Sequence, residues 1–482
     1  MANSSSRRPH SPTKSSPNVD VVIVGAGLSG LTAASILDYA GLKVIVLEAR
    51  NRVGGKTHTV PLTRGKGHVE LGAAWINDTN QWRMAALAEK FGLDTIVQNT
   101  RGDVIAQDFD GRTNRFPYGG LPQFPEQDRK DIARIQDDFE ALCHTIDIYS
   151  PKDATLDAHS MEQFLRSQDA SPRALATAAT WTRAMLGVEP SQISALFFLN
   201  YCKSGGGLMT MRSDREHGGQ YLRIRQGTQA FSKNLARGLP LGCIHLNEPV
   251  ISINQPINRR DDVIVKTASS KTYTCKRVIV SVPTPVYKDI SFTPPLSLAK
   301  SALASETRCG TYIKAICAFR SPFWRSRHLC GLAQSFAGPA SVVRDTSVDE
   351  EDNYTLTCFV VGDPGKAWSE LPLESRQKRL LSQISTLFKD GDLKGTYNEF
   401  IEMVESEWGT DPWTGYGAPC PSTPPGVLDK YGDALRSVEG RIHFVGTETA
   451  GEWKGYMEGA VGSGERGGVE VLRELGRVAS KL

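Results

Sequence analysis

The sequence lacks three features that would each indicate a particular class of protein. No apolar run reaches the ~18 residues that a helix needs to cross a bilayer, so we expect no membrane anchor. No charge dominates, because 56 Lys and Arg residues stand against 53 Asp and Glu residues, and this balance argues against a nucleic-acid partner. The nine cysteines include no Cys-x-x-Cys pair. Their odd, dispersed number predicts reduced thiols in an intracellular protein, and we expect no metal site.

The two ends of the chain differ from its centre. Residues 1–17 are rich in Ser and Pro without an apolar pattern, which predicts a disordered tail. A mitochondrial presequence is the alternative, but the prolines disfavour the amphipathic helix that it needs. The final residues Ser480, Lys481 and Leu482 match an address that the peroxisomal import receptor reads. We therefore expect a peroxisomal protein, with a cytoplasmic location as the alternative.

The feature that the sequence does contain is a strand, turn, helix and strand near its N-terminus. An apolar run at 21–24 precedes a Gly-x-Gly-x-x-Gly turn, a helical pattern at 31–39 and a β-rich run at 43–47. Glu48 ends the second run, 18 residues after the last glycine of the turn, where its carboxylate would accept hydrogen bonds from a ribose. This combination is typical of the dinucleotide-binding βαβ unit.

Each glycine of this turn has its own physical role. Gly25 permits the tight turn, Gly27 lets a pyrophosphate approach the backbone, and Gly30 lets helix and strand pack closely. The N-terminus of the helix that follows the turn offers free N–H groups and a partial positive charge to phosphates.

A second glycine-rich turn follows the second strand. It contains the pair Gly54-Gly55 with Arg50, Arg52 and Lys56 around it. Glycines allow close approach of the backbone, and cations there can meet a pyrophosphate. The turn resembles the second cofactor motif of the flavin-containing amine oxidases. That family usually has Arg where this chain has Lys56, so charge is kept while the bidentate fork is lost.

The C-terminal part resembles the signature of the same family. A strand at 441–446 leads to a helix that begins near Tyr456, and its N-terminus would stabilise negative charge on a reduced flavin. The resemblance implies that Glu448 lies by the ribityl chain and that the backbone of Met457 contacts the isoalloxazine. It also implies that Tyr456 faces the substrate, whereas the alternative is an aromatic residue that only packs at the helix start.

Lys314 lies in an apolar strand at 311–319 that precedes a Pro-Phe-Trp sequence. A lysine there is costly unless its ammonium finds water or a partner, and the simplest alternative is an edge-strand lysine that reaches solvent. The family has the same lysine before the same Pro-Phe-Trp. The resemblance implies that Lys314 is hydrogen-bonded through a water to the reactive N5 of the flavin, which makes it the foremost catalytic candidate.

Further cofactor contacts follow from the resemblance. Residues 70–76 match a segment that lies against the flavin, and Val250 follows a Glu-Pro pair at a position that holds the adenine. The run at 400–408 predicts a strand that ends in Trp408, and a core position is the default for a tryptophan in a strand. The family counterpart of Trp408, however, packs near the flavin ring. The residues expected to bind FAD are Gly25, Gly27, Leu28, Ser29, Gly30, Glu48, Ala49, Arg50, Gly55, Lys56, Ala73, Ala74, Trp75, Val250, Trp408, Glu448, Thr449, Tyr456 and Met457.

The attachment of FAD is expected to differ from that in the animal members of the resembled family, which bind FAD covalently through a cysteine. Counting back from the later Pro-Pro-Gly sequence puts Ala418 at that position, so we predict noncovalent FAD, with Cys420 as an alternative point of attachment. The same count puts Pro419 where one wall of the animal enzymes' aromatic cage stands. Trp453 or Tyr416 could replace that wall.

The resemblance covers residues 19–475 and is closest to the soluble fungal monoamine oxidases. It implies a mixed α/β fold, in which a Rossmann-like FAD-binding domain is interleaved with a substrate domain of sheet and helices. The FAD-binding domain is expected at 18–80, 210–290 and 425–482, and the substrate domain at 81–209 and 291–424. A homo-oligomer is one expected state.

The implied activity is FAD-dependent oxidation of an amine to an imine, which hydrolyses to an aldehyde or ketone, with O₂ reduced to H₂O₂. The catalytic candidates are Lys314, Tyr456 and Trp453. Alternatives on the same scaffold are a polyamine or L-amino-acid oxidase, an FAD-dependent desaturase or a protoporphyrinogen oxidase. A nicotinamide-dependent dehydrogenase and a silent scaffold that merely holds FAD are alternatives of other classes.

Overall fold

The computed structural model describes residues 18–477 apart from 257, 259 and 260. The predicted tail at 1–17 and the C-terminal tripeptide at 480–482 therefore lie outside the described residues. Strands and helices are interleaved along the chain, which confirms the predicted mixed α/β class.

The strands divide among two large sheets and two small ones. Within the described ranges there are twenty: β1 (Asn18–Val24), β2 (Val44–Leu47), β3 (Thr59–Pro61), β4 (His68–Glu70), β5 (Trp75–Ile76), β6 (Thr95–Val97), β7 (Asp103–Gln107), β8 (Thr113–Pro117), β9 (Leu222–Ile224), β10 (Ile244–His245), β11 (Val250–Asn254), β12 (Val263–Thr267), β13 (Thr272–Val280), β14 (Ser291–Thr293), β15 (Tyr312–Phe319), β16 (Leu329–Ser335), β17 (Val342–Asp345), β18 (Tyr354–Val361), β19 (Phe400–Glu407) and β20 (Ile442–Phe444).

The helices are distributed along the whole described part of the chain. The described part contains fifteen α-helices: α1 (Leu28–Tyr39), α2 (Trp82–Lys90), α3 (Glu126–Thr145), α4 (Ala154–Asp157), α5 (Met161–Ser167), α6 (Pro172–Leu186), α7 (Ala195–Ser204), α8 (Leu208–Arg212), α9 (Gln229–Arg237), α10 (Leu298–Glu306), α11 (Asp363–Ser369), α12 (Leu373–Phe388), α13 (Leu393–Glu399), α14 (Leu428–Tyr431) and α15 (Met457–Glu474).

The first large sheet has the order β10-β2-β1-β13-β12-β11-β14, and β20 pairs with the end of β13. Strands β10, β2, β1, β13 and β20 run parallel, while β12 is antiparallel to both its neighbours. Residues 21–24 are buried on both faces of the sheet, as their continuous apolar run predicts. Val21 and Ile23 pack in the cluster that contains α1 and α15, and Val22 and Val24 pack in a second buried cluster. Since β14 pairs with β11, residues 291–293 belong to this sheet, three residues past the predicted boundary at 290.

Helices α1 and α15 pack together over one face of the first sheet. Leu31, Val461 and Val471 belong to the same buried cluster. The approach is close, since a Cβ at Gly464 would come within 2.3 Å of the Ser29 carbonyl oxygen. This packing brings the N-terminus of α15 to the same side of the sheet as the glycine turn at 25–30.

The second large sheet has the order β19-β15-β18-β17-β16-β7-β8 and is antiparallel except for the β16–β7 pair. Strand β15 lies between β18 and β19, where Lys314 is opposite Phe359 and Ser406. The edge-strand alternative for Lys314 is therefore excluded. Helix α12 buries Leu380 and Ile384 in the core of this sheet.

The helical segment α3–α8 has a separate apolar core that includes Phe139, Trp181 and Phe198. Strand β9 follows this segment in the chain and pairs with the short strands β5 and β6. Among the described residues, no helix combines the length and the apolar character that crossing a membrane requires.

Candidate active site

A cavity of about 560 Å³ lies where the first sheet, the second sheet and the helical segment meet. This volume is within the range of small-molecule and cofactor sites. Eighteen of the predicted site residues line it: Gly25, Gly27, Leu28, Ser29, Glu48, Ala49, Arg50, Gly55, Lys56, Ala73, Ala74, Trp75, Val250, Lys314, Trp408, Glu448, Tyr456 and Met457. Gly30, Thr449 and Trp453 are not among the lining residues.

The three glycines of the first turn differ in what a side chain would meet. Gly25 has a φ of +101°, a conformation that favours glycine. A Cβ at Gly30 would come within 2.1 Å of the Gly25 carbonyl oxygen, so Gly30 serves the packing of strand and helix. A Cβ at Gly27 would meet no atom within 4 Å, so this glycine faces open space.

The space at Gly27 fits a pyrophosphate. Gly27 is the N-cap of α1 and makes no side-chain cap, so the first N–H groups of the helix have no intrahelical partner. The second glycine turn faces the same point, since a Cβ at Gly55 would come within 3.3 Å of the Gly27 Cα. Two bare backbone turns and a helix N-terminus form a cradle of the kind that binds phosphates.

Glu48 is fixed at the end of β2 by two backbone amides. The N–H of Ala26 donates to its carboxylate at 2.7 Å, and the N–H of Arg50 donates at 2.9 Å. The Arg50 guanidinium is turned to Asp411 at 2.6 Å. Glu48 thus stands where a ribose next to the cradle would be held, while Arg50 links the first sheet to the segment after β19.

Lys56 and Arg52 of the second glycine turn donate hydrogen bonds to backbone carbonyl oxygens. Lys56 donates to the Pro419 carbonyl oxygen at 2.8 Å. Arg52 donates to the Thr57 carbonyl oxygen at 3.1 Å and to the Gly55 carbonyl oxygen at 3.0 Å. Burial lowers the pKa of Arg52 to about 10. Arg52, which the resemblance did not assign to the cofactor, therefore holds the shape of the glycine turn.

Lys314 reaches from β15 across to the segment at 70–76. Its ammonium donates to the Gly72 carbonyl oxygen at 2.8 Å and lies 5.2 Å from the centre of the Trp75 ring. Burial lowers the pKa of Lys314 to about 8, and the charge of Glu70 opposes this effect. Trp408 holds the same segment through its indole N–H, which donates to the Leu71 carbonyl oxygen at 3.0 Å.

Trp408 itself differs slightly from expectation. The strand predicted at 400–408 ends at Glu407, and Trp408 begins a 3₁₀ turn. Because it is buried and also lines the cavity, its core position and its expected place near the flavin are compatible.

Tyr456 is the N-cap of α15 and presents its ring to the cavity. Its hydroxyl donates to the Met211 carbonyl oxygen at 3.2 Å and accepts from the Gln220 amide at 3.2 Å. Burial raises the pKa of Tyr456, so its hydroxyl stays protonated. Tyr456 therefore serves as a fixed wall of the cavity and not as a base.

Trp453 was predicted to face the substrate, but it is not among the residues that line the cavity. Its φ is +51°, and its indole N–H donates to the Asn80 carbonyl oxygen at 2.9 Å. The Trp453 ring packs 5.1 Å from that of Tyr456 and supports it. Tyr416 is exposed and does not replace the missing wall either. Thr449 is buried and accepts a hydrogen bond from Arg466 at 3.0 Å.

The segment at 418–420 distinguishes the two candidates for flavin attachment. Ala418 and Pro419 line the cavity. Cys420 is fully buried outside the lining, and its thiol donates to the Pro421 carbonyl oxygen at 3.4 Å. Burial also raises the pKa of the Cys420 thiol, which suppresses its reactivity.

The cavity lining also includes residues that the sequence did not single out. Most are aromatic or aliphatic, and an apolar pattern alone does not show which positions face a cavity. Two arginines are also present, although neither occurs in a motif. These lining residues include Trp181, Met185, Tyr201, Arg212, Tyr312, Leu332, Arg344 and Phe359.

Comparison with known proteins decides the family. A profile described as flavin containing amine oxidoreductase matches residues 28–472. The human protein named amine oxidase [flavin-containing] B is 32% identical over 472 residues, a span of 95% of this chain and 87% of the relative. The chain belongs to the flavin-containing amine oxidoreductases. It is a flavoenzyme that uses FAD, and the glycine cradle with Glu48 is suited to hold that cofactor.

Solved structures agree with this assignment. A putrescine oxidase bound to putrescine has a TM-score of 0.87 and 28% identity, with 95% of this chain and 99% of that chain covered. The cyclohexylamine oxidase from Brevibacterium oxydans has a TM-score of 0.88 and 25% identity, with 96% and 100% covered. Both are similar to this flavin-containing amine oxidoreductase along nearly its whole length, so the shared fold is not confined to one part of the chain.

Proposed function

We propose that this protein is an oxidase that converts an amine to an imine and reduces O₂ to H₂O₂. The observation that carries the proposal is the meeting of the glycine cradle, Lys314 and Tyr456 in one cavity. When bound, FAD supplies the two-electron chemistry, accepting the equivalent of a hydride from the amine carbon and passing electrons to O₂.

The residues of the chain determine which form of the amine reacts. The walls around Trp181, Tyr201 and Phe359 are apolar, so they favour an uncharged amine over an ammonium ion. Lys314 adds positive charge to the site when it is protonated and opposes binding of a second cation. Tyr456 holds the substrate against the cofactor through its fixed ring.

Lys314 also has a function after the amine has been oxidised. Its ammonium is buried at the cavity wall beside Trp75, where no bulk water screens it. A cation in such a position stabilises the negative charge that O₂ acquires as it is reduced. We propose that Lys314 promotes the reaction with oxygen and takes no part as a strong base.

Two further points belong to the proposal. FAD is held noncovalently, since Ala418 lines the cavity where the animal enzymes have their attachment cysteine. The protein is addressed to peroxisomes by Ser480, Lys481 and Leu482, a location suited to an enzyme that makes peroxide. A fluorescent fusion that ends in these residues should enter peroxisomes, and one without them should stay in the cytosol.

The stoichiometry of the reaction tests the proposed function. The holoenzyme is incubated with a primary amine, and O₂ consumption, H₂O₂, ammonia and the carbonyl product are measured together. Equal amounts of all four are expected. Formation of the carbonyl product with an artificial electron acceptor but without O₂ consumption would show a dehydrogenase instead.

A further inference from the structure

Arg212 is a cation in the wall of the cavity without an anionic partner. It ends α8, lines the cavity and has its guanidinium 5.3 Å from the centre of the Trp181 ring. Within 18–477, apart from the three omitted positions, its guanidinium meets no carboxylate and no hydrogen-bond acceptor. A guanidinium has five N–H donors in a planar fork, so this group is free to bind a ligand.

The neighbouring charges leave a positive excess. Arg344 also lines the cavity and lies near Arg212, but it is paired with the buried Asp214. Asp214 is itself fixed, because its N–H donates to the Tyr118 hydroxyl at 2.7 Å. Two arginines and one carboxylate therefore leave one positive charge, and burial and the proximity of Arg344 lower the pKa of Arg212 to about 10. Arg212 still carries its charge at neutral pH.

The walls around Arg212 supply no compensating acid. The acidic residues among those described as lining the cavity are Glu48, Asp289 and Glu448, all of them in the FAD-binding part. The Glu448 carboxylate accepts hydrogen bonds from the backbone N–H and the hydroxyl of Thr284. A buried charge without a partner is unfavourable, and a ligand that brings the opposite charge removes that cost.

We propose that the amine substrate carries a carboxylate. Two N–H groups of the Arg212 guanidinium bind this carboxylate, while the amine group of the substrate lies by Tyr456 and Lys314. The proposal rests on the proposed amine oxidation and names the class of substrate. A diamine does not fit beside Arg212, since its second ammonium would meet the positive charges of Arg212 and Arg344. A purely apolar amine would leave the charge of Arg212 unpaired.

The first test measures binding without turnover. Benzoate and its uncharged analogue benzamide are titrated into the holoenzyme, and the change in the visible spectrum of the flavin gives each Kd. Benzoate should bind the wild-type enzyme more tightly than benzamide does. Arg212→Met should raise the benzoate Kd by about 30-fold or more, the range expected when one partner of a buried charge pair is removed.

Two variants control this test. Arg212→Lys keeps the charge but loses the fork, so it should restore part of the benzoate affinity. Arg101→Met removes an exposed arginine outside the cavity and should leave both Kd values unchanged. Equal Kd values for benzoate in the wild-type enzyme and in Arg212→Met would overturn the proposal.

The second test compares matched amines as electron donors. Phenethylamine, phenylalanine and 4-(2-aminoethyl)benzoate share a ring and an ethylamine, and they differ in the presence and the place of a carboxylate. At least one carboxylated amine should reduce the flavin with a higher kcat/KM than phenethylamine, and Arg212→Met should reverse that order. The faster of the two carboxylated amines shows where the substrate carries its carboxylate. A faster reaction of phenylalanine places it on the amine carbon, and a faster reaction of 4-(2-aminoethyl)benzoate places it at a distance.

The outcomes separate this inference from the proposed function. If phenethylamine reduces the flavin and both carboxylated amines react more slowly, the amine oxidase stands and the carboxylate proposal is wrong. If none of the three reduces the flavin, and a wider set of amines also fails, the proposed function itself is wrong.

Discussion

The Lys314 ammonium donates a hydrogen bond to the Gly72 carbonyl oxygen at 2.8 Å, and so joins β15 of the second large sheet to the loop between β4 and β5. This bond fixes a buried cation at the wall of the cavity, beside the segment at 70–76. The position combines a charge, an anchored geometry and exclusion of water. These are the conditions under which one lysine can influence a reaction with oxygen.

Replacing Lys314 should affect the reaction of the reduced enzyme with O₂ without affecting its reduction by amine. We expect Lys314→Met to bind FAD and to be reduced by amine, but to react with O₂ more slowly by on the order of 10²-fold, because the stabilising charge is lost. Stopped-flow mixing of the reduced variant with oxygenated buffer measures this rate. Lys300→Met is a control, since Lys300 is also buried but donates to the Ser437 carbonyl oxygen at 2.7 Å outside the cavity. An unchanged oxygen reaction in Lys314→Met would remove Lys314 from the mechanism.

The same lysine predicts a pH dependence. Burial lowers the pKa of Lys314 from 10.5 to about 8, so the side chain is mainly cationic below pH 8 and neutral above it. Since the cation is the helpful form, the rate constant of the oxygen reaction should fall as pH rises through about 8. The inflection should be absent in Lys314→Met. A profile that rises with pH in the wild-type protein would contradict this assignment.

The two glycines Gly27 and Gly30 should respond in opposite ways to substitution. A side chain at Gly27 meets only the cofactor space, so Gly27→Val should leave the melting temperature of the apoprotein unchanged and weaken FAD binding by at least tenfold. A Cβ at Gly30 collides with the Gly25 carbonyl oxygen, so Gly30→Ala should destabilise the apoprotein by about 1–3 kcal/mol. Thermal melts of apoprotein and titration with FAD measure both effects.

The comparison of the two variants is itself the control. If Gly27→Val destabilised the apoprotein as much as Gly30→Ala, the space at Gly27 would not be reserved for the cofactor. If Gly30→Ala were as stable as wild type, the close packing of α1 on β1 would be wrong.

Ala418 should accept covalent attachment of the flavin. The Ala418→Cys variant places a thiol at the cavity wall, where the resemblance to the animal enzymes locates their link. We expect part of the flavin to stay with the polypeptide after denaturation, seen as fluorescence in a denaturing gel. Wild type and Cys420→Ser should release all of it. If the denatured wild-type protein retained flavin and the denatured Cys420→Ser variant did not, the prediction of noncovalent binding would be contradicted.

The sequence predicted the cofactor half of the site well because that half is local. The strand, turn and helix from Val21 to Tyr39 carry their own pattern, and Gly25, Gly27 and Gly30 are recognisable from spacing alone. The observed β1, α1 and β2 differ from the predicted elements only by a few residues at their ends. Short-range geometry fixes both the turn and the approach of a phosphate to it.

Long-range contacts explain what the sequence did not predict. The burial of Lys314 depends on β18 and β19, which follow β15 by tens of residues, and the residues alone favoured an edge strand. Trp453 has a left-handed backbone and donates its indole N–H to the Asn80 carbonyl oxygen, a contact across hundreds of residues that no local pattern shows. Arg212 and Arg344 meet only after the helical segment has folded over the second sheet, and no local pattern connects them.

The most direct test of the central claim is the visible spectrum of the purified holoenzyme under anaerobic conditions, before and after addition of amines. We predict flavin bands that bleach with an amine and return when air is admitted. The set of amines should include uncharged and carboxylated members. Flavin bands that no amine bleaches would contradict amine oxidation and leave only the fold and the cofactor.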